Sequence, residues 1–185
     1  MTTQTAPQLA TGTYTIDTSH SRLGFVARHA MVTKVRGAFN AFDATVEVDG
    51  ENLAASKVSV TIDVDSIDTR NEQRDGHLRS NDFLDIANHP EITFVSTDVT
   101  PVGDDVVRVT GDLSIKGVTK PVTVDFAYEG SAVDPFGNQR VGFEGSVVIN
   151  RKDWGITWNA ALEAGGVLVS DKVTLEFEIS AIKAA

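Results

Sequence analysis

Residues 106–128 read VVRVTGDLSIKGVTKPVTVDFAY, and this stretch decides the fold. Apolar side chains alternate with polar ones on both sides of Lys116 and Gly117, at Val107, Val109, Leu113 and Ile115 before the pair and at Val122, Val124, Phe126 and Tyr128 after it. A period of two indicates strands that have one buried face and one wet face. Gly117 tolerates the left-handed backbone angle of a tight turn, so the stretch predicts an antiparallel hairpin.

The same alternation recurs along most of the chain, between clusters of Gly, Asp, Asn and Pro. Further stripes lie at 23–29, 35–39, 42–48, 58–64, 92–94, 141–149 and 173–179. The segment 134–138, DPFGN, predicts a longer connection between two strands. The chain is therefore predicted to be mainly β, with about eight to ten strands in sequential antiparallel order.

One segment departs from this pattern. Residues 69–88 are rich in charge and poor in β-branched side chains, and Pro90 follows them, which predicts one or two short helices. So many strands must close into a barrel or stack as a sandwich to protect their edges. The sequential order favours a single antiparallel β-barrel of about eight strands with a short helical insertion.

Composition narrows the function classes. The chain has 185 residues, which fits one domain, and its 16 Lys+Arg against 26 Asp+Glu give a net charge of −10. That charge repels phosphate backbones and anionic lipid surfaces, so no nucleic-acid partner is expected. Cysteine is absent, which excludes disulfides and thiolate chemistry.

Residues 1–12 are small and polar, and they are predicted to form a flexible tail before a barrel domain at 13–185. They lack the basic and apolar regions of a secretory signal, which predicts a cytoplasmic protein. No apolar run approaches the roughly 18 residues of a membrane-spanning helix, so stable membrane insertion is not expected.

Common catalytic motifs do not occur: there is no G-x-S-x-G, H-E-x-x-H, P-loop or G-x-G-x-x-G. The side chains that titrate near neutral pH are His20, His29, His77 and His89. No pair of them has metal-ligand spacing on a shared face, so no metal site is expected. His29 continues the inward stripe of Leu23 and Phe25, and we expect a hydrogen-bonded histidine that closes the core rather than a ligand contact.

Arg70, Arg74 and Arg79 form the densest basic cluster. They could hold an anionic head group, but pairing with neighbouring acidic side chains is the favoured interpretation. Trp154 and Trp158 lie where the strand pattern breaks, and they are expected to cap a barrel end or rim a pocket.

A set of spaced motifs resembles the YceI-like family. In order they are Asp17–Ser21 with Phe25 and His29, Gly37 and Phe39, Ser66–Asn71, Arg74–Asp85, Pro90–Phe94, Gly111–Lys120 and Asn150–Gly155. Together they span about Thr13 to Ile182. The Asp-Phe-Gly usual in the family is Asp153-Trp154-Gly155 here, an aromatic exchange that keeps the bulk.

The resemblance implies a lipocalin-like barrel whose lumen binds a long polyisoprenoid or isoprenoid-quinone-like lipid, with no catalytic residue and no cofactor besides that lipid. A homodimer is also predicted by the resemblance. The residues expected to contact the tail are Leu23, Phe25, Phe39, Ile62, Phe94, Phe126, Phe143 and Phe177. The residues expected near the head group or mouth are His29, Arg74, His77, Trp154 and Trp158.

Two other functions stay open at this point. One is an enzyme that holds a small apolar substrate in the lumen, with His29 or His77 as the general base. The other is a stress-associated scaffold whose barrel is filled by its own side chains.

Overall fold

The protein is described by a computed structural model, which covers residues 9–163 and 165–184. The strands are β1 (Gly12–Ile16), β2 (Arg22–His29), β3 (Thr33–Phe39), β4 (Phe42–Val48), β5 (Lys57–Asp63), β6 (Ile67–Asp68), β7 (Glu91–Pro101), β8 (Val106–Ile115), β9 (Val118–Val133), β10 (Gln139–Asn150) and β11 (Lys172–Lys183). The helix α1 (Glu72–Arg79) lies between β6 and β7. Short 3-10 turns occur at Leu53–Ala55, Val64–Ser66 and Arg151–Trp154.

The strands form one closed antiparallel barrel. β1 and β2 follow each other along the same side of β11, and β4 and β3 pair with them in the same order. The wall has eight strands if β1 and β2 are counted together as one strand and β3 and β4 as another. The other six are β5 and β7 to β11. The pairing of β1 with β11 closes the ring. This confirms the predicted barrel of about eight strands with a short helical insertion.

Both predicted connections are present. Lys116 and Gly117 form a two-residue turn with φ of 51° and 75°, as a type I′ hairpin requires. The connection between β9 and β10 is organised by the Asp134 carboxylate, which accepts hydrogen bonds from the backbone amides of Phe136 and Asn138.

The helical insertion is held by polar contacts at its start. The Asn71 side chain caps α1 by accepting a hydrogen bond from the amide of Arg74 at 2.9 Å. The buried Asp75 carboxylate accepts from the amide and the hydroxyl of Thr69, at 2.9 and 2.5 Å. After α1, residues 80–89 fold as turns and place Phe83 in the core.

Two apolar clusters fill the two halves of the barrel and share Phe94 and Phe126. One cluster lies at the end formed by α1 and residues 80–89, 151–163 and 165–170, which we call the capped end. The other lies towards the opposite end, around Leu53. The predicted tail falls partly outside the described residues; within it, Leu9 packs against this second cluster, and β1 begins at Gly12.

Candidate functional site: an apolar lumen

The barrel encloses a cavity of about 240 Å³. Inward-facing side chains of the wall line it along most of its length, among them Leu23, Phe25, Phe39, Ile62, Phe94, Phe126, Phe143 and Phe177. Phe94, Phe126 and Phe177 are only partly buried although they point inward. The interior is therefore not filled by its own side chains.

Three of the lumen phenylalanines lie across a glycine on the neighbouring strand. A Cβ on Gly37 would lie 2.3 Å from Phe25 Cζ, and one on Gly111 would lie 2.4 Å from Phe94 Cζ. A Cβ on Gly145 would lie 3.0 Å from Phe126 Cδ1.

In such pairs the aromatic ring lies over the glycine, in the space that a side chain would otherwise occupy, and packs against the wall. The glycines thus keep these rings away from the barrel axis, and the lumen stays open.

The few polar side chains that line the cavity already have partners in the protein. The Tyr14 hydroxyl donates a hydrogen bond to the carbonyl of Ala10 at 2.8 Å, and burial raises the pKa of this phenol. Ser56 Oγ accepts from the amide of Asp49 at 3.0 Å. The lumen therefore attracts hydrocarbon and gives a polar ligand little to bind.

The capped end is built around Arg151 and Trp154. Arg151, of which 4% is exposed, donates to the carbonyls of Ser170, Ile156 and Trp158 at 2.8 to 2.9 Å. Burial lowers the pKa of this guanidinium. Trp154 Nε1 donates to the carbonyl of Leu113 at 2.9 Å and ties the cap to the wall. The sequence did not predict this role of Arg151, because its partner carbonyls belong to loop residues that follow no periodic pattern.

His77 and Trp158 meet at the same end. Their rings are 4.7 Å apart, edge to face, and the His77 ring is 5.0 Å from that of Phe83. His77 Nε2 lies 2.9 Å from the Asp82 carboxylate. His77 and Trp158, both predicted to lie near the head group or mouth, thus belong to an aromatic cluster on the cap and do not line the cavity.

Arg74 and Arg79 hold the insertion in place. Arg74 donates from Nε to the hydroxyl of Thr69 at 2.7 Å and from Nη2 to its carbonyl at 2.6 Å. Arg79 donates to the carbonyls of Asp65 and Ile67. Arg74 does not line the cavity, and its guanidinium is used to fix the start of α1. Its position near a head group or the mouth stays a prediction.

His29 does not close the core. Its side chain is exposed at the end of β2, where it forms an isolated bridge with Val169. The alternation correctly predicts Leu23 and Phe25 as inward-facing. At the level of His29, however, the neighbouring wall has already ended, because β10 stops at Asn150. The predicted interior position of His29 is wrong for this reason.

At the opposite end, Arg140 joins two carboxylates. Its Nη1 lies 2.7 Å from Asp17 and its Nε 2.7 Å from Asp134. Hydrogen bonds from Ser19, Arg140 and His20 hold the pKa of Asp17 well below its usual range. Arg140 does the same to the pKa of Asp134.

The predicted site residues thus separate into three groups. The eight residues predicted to contact the tail all line one cavity. Trp154, Trp158, Arg74 and His77 lie on or beside the cap, and His29 lies outside. The prediction missed further lining residues, such as Tyr14, Ile16 and Leu53, although Tyr14 and Ile16 show the same alternation.

The model of the YceI-like domain matches residues 14–181. The chain belongs to the YceI-like family. Among curated relatives, a UPF0312 protein of Staphylococcus aureus is 41% identical over 169 residues, which cover 91% of this chain and 95% of the relative. A UPF0312 protein of Pectobacterium atrosepticum is 44% identical over 138 residues, which cover 75% of this chain and 71% of the relative.

Solved structures of similar fold support the assignment of this YceI-like chain. Burkholderia cenocepacia BcnA superposes with a TM-score of 0.78 at 27% identity, over 89% of this chain and 98% of that one. The Campylobacter jejuni YCEI protein gives 0.74 at 28% identity, over 85% and 90%. A polyisoprenoid binding domain from Saccharophagus degradans gives 0.71 at 17% identity, over 92% and 98%, a likeness of fold. In the described part of the chain, no helix has the length and apolar character needed to cross a membrane.

Proposed function

We propose that this YceI-like protein binds a long-chain polyisoprenoid lipid in its lumen without acting on it chemically. The observation that carries the proposal is an apolar cavity whose polar side chains, Tyr14 and Ser56, already have protein partners. Burial of a hydrocarbon tail contributes about 25 cal/mol for each Å² of apolar surface, so affinity needs no directed hydrogen bond. The fold shared with a polyisoprenoid binding domain supports the same ligand class.

The two other functions find less support. A general base must lie within hydrogen-bond reach of its substrate, and neither His29 nor His77 lines the cavity. A barrel filled by its own side chains would leave no cavity of about 240 Å³. No cofactor other than the lipid belongs to the proposal. A quinone-like head group, a cytoplasmic location and a homodimer stay predictions.

The direct test is to extract the purified protein with organic solvent and to identify co-purifying lipid by mass spectrometry. Delipidated protein is then titrated with polyprenyl lipids of increasing length. We expect affinity to rise with chain length, since each added unit buries more apolar surface. Absence of lipid in the extract together with length-independent binding would overturn the proposal.

A pair of variants separates the lumen from the outer surface. Ala44 is 8% exposed and lines the cavity, whereas its neighbour Thr45 lies on the outer face of β4. Ala44→Phe is expected to weaken tail binding by tenfold or more, because the new ring occupies the lumen. Thr45→Phe is the matched control and is expected to bind like the wild type. Equal affinities of the two variants would contradict a lumen site.

A further inference from the structure

The segment 18–42 differs in charge from the rest of the chain. It carries Arg22, Arg28, Lys34 and Arg36 and no Asp or Glu, in a protein of net charge −10. It forms β2, β3 and the turn between them. A local basic surface therefore stands on an otherwise acidic molecule.

The turn itself exposes apolar side chains. Met31 is 61% exposed and Val32 is 74% exposed. Val167 lies on the loop that precedes β11, which we call the neighbouring loop, and it is 39% exposed. The amide of Ala30 donates to the carbonyl of Leu168 at 2.8 Å, so this loop is attached to the turn. We call residues 30–32 the β2–β3 tip.

Local conformation does not explain these residues. Ala30 and Met31 have φ of 50° and 64°, in the left-handed region where hairpin turns favour Asn and Gly. Met31 rests its sulfur against Gly166 of the neighbouring loop, but it contributes little to the core, because most of its surface faces solvent. A side chain that suits neither the turn nor burial points to an external contact.

The basic residues divide according to their distance from the tip. Arg22 and Arg36 both lie 3.8 Å from Glu176. Arg28 and Lys34 are cross-strand neighbours close to the tip, and no described carboxylate lies within 4.0 Å of either. Between Asp153 and Asp171, the sequence of the neighbouring loop carries a single acidic residue, Glu163. Asp171, which follows this loop, pairs with Arg151 and Lys152.

We propose that the β2–β3 tip docks on an anionic lipid bilayer, with Met31 and Val32 entering the interface and Arg28 and Lys34 meeting phosphate groups. Exposed apolar residues flanked by cations are the combination that binds such surfaces. The inference rests on the proposed lipid ligand: β2 and β3 also supply Leu23, Phe25 and Phe39 to the cavity. The docking strands are therefore part of the lumen wall.

The test is co-sedimentation of the purified protein with vesicles. Vesicles of equal parts phosphatidylglycerol and phosphatidylcholine are expected to bind the protein, and vesicles of phosphatidylcholine alone to bind it at least tenfold more weakly. Lys34→Ser should weaken binding about fivefold, as expected for one basic residue at a membrane surface. Met31→Gly combined with Val32→Thr should weaken it tenfold or more. The glycine suits the positive φ, so the double variant should fold at least as stably.

Two matched controls lie away from the tip. Phe136 is 88% exposed on the β9–β10 connection, and Phe136→Ser tests for non-specific hydrophobic adhesion. Lys120, exposed on β9, tests for non-specific charge attraction through Lys120→Ser. Neither control is expected to change vesicle binding.

Three results would overturn the docking proposal. They are equal binding to both kinds of vesicle, equal losses in the control variants, and a tip variant that alters the oligomeric state in light scattering while vesicle binding is unchanged. The last result would assign the tip to contacts between copies of the chain.

Failure of docking is distinguishable from failure of the lumen proposal. Tip variants should bind polyprenyl lipids in solution like the wild type, whereas Ala44→Phe should still bind vesicles. Loss of both activities in the tip variants would contradict a docking role separate from the lumen.

Discussion

Trp154 shows how one residue links the cap to the wall. It is 3% exposed, and its indole nitrogen donates to the carbonyl of Leu113, a residue that itself lines the cavity. The side chain thus acts on the lumen from outside it, by fixing the position of the end of β8.

Two substitutions separate the packing of Trp154 from its hydrogen bond. Trp154→Phe keeps most of the ring and loses the bond, so the free energy of unfolding should fall by about 1–2 kcal/mol. Trp154→Ala removes the ring and should cost about 3–5 kcal/mol. Urea unfolding measures both losses. Trp158→Phe is the control, and it should lower the free energy of unfolding less, because Trp158 is only half-buried. Equal losses for Trp154→Phe and Trp154→Ala would contradict a packing role.

Single residues also mark the limit of what the sequence can predict. Alternation shows which face of a strand a side chain occupies, and it correctly assigned Phe25 and Phe126 to the interior. It does not show how far along the barrel axis the wall extends, which is why His29 was misplaced. The role of Arg74 depends on its contact with Thr69 across a turn, and no periodic signal reports such a contact.

At the scale of the elements, paired strands determine the width of the lumen through the contacts of Phe25, Phe94 and Phe126 with their glycines. Most strands, the hairpin turn and the helical insertion were predictable, because each leaves a local pattern in the sequence. The short strands β1 and β6 are not among the predicted stripes. The pairing of a lumen phenylalanine with a glycine on the next strand was not predictable, because it requires the register between strands.

The three glycines should differ in their tolerance of alanine. Gly111→Ala would bring a Cβ within 2.6 Å of the Val95 carbonyl oxygen, a backbone atom that cannot move aside, so it should be the most destabilising. Gly37→Ala meets the side chains of Phe25 and Thr69, which can shift, and should cost about 1–3 kcal/mol. Gly145→Ala has its nearest contacts at 3.0 Å and should cost least. Chemical denaturation of the three variants gives the order, and a different order would contradict the contacts described.

At the scale of the whole molecule, Arg140 connects segments far apart in sequence. It joins Asp17, which follows β1, to Asp134 in the β9–β10 connection. Both side chains are largely shielded from solvent, with 14% and 11% of their surface exposed. The barrel is therefore fastened at this end by a charge network as well as by apolar packing.

This network predicts an acid-sensitive stability. Unfolded Asp side chains titrate near pH 4, and the folded pKa values of Asp17 and Asp134 lie lower. Their stabilising effect is therefore complete above about pH 4 and is lost as the pH falls through the folded pKa values. The melting temperature of the wild type should drop on acidification below about pH 4. Arg140→Met should melt lower at neutral pH and show a shallower acid dependence.

Arg108→Met supplies the control for the acid experiment. Arg108 pairs with Asp125 on the outer face of the wall and lowers the pKa of that carboxyl, but both side chains are about half exposed. Solvent screens such a pair, so its removal should change the pH profile less than removal of Arg140 does. Identical pH profiles for the wild type and Arg140→Met would contradict the role of the network.

The closing pair of the barrel, β1 with β11, joins strands from opposite ends of the fold. During synthesis, every other wall strand can form before β11 leaves the ribosome, yet the cavity does not exist until β11 has paired with β1 and β2. Until then the lumen phenylalanines face water on an open sheet, a state prone to aggregation. A lipid that takes the place of water on the exposed sheet at that moment would therefore assist the folding of the barrel that binds it.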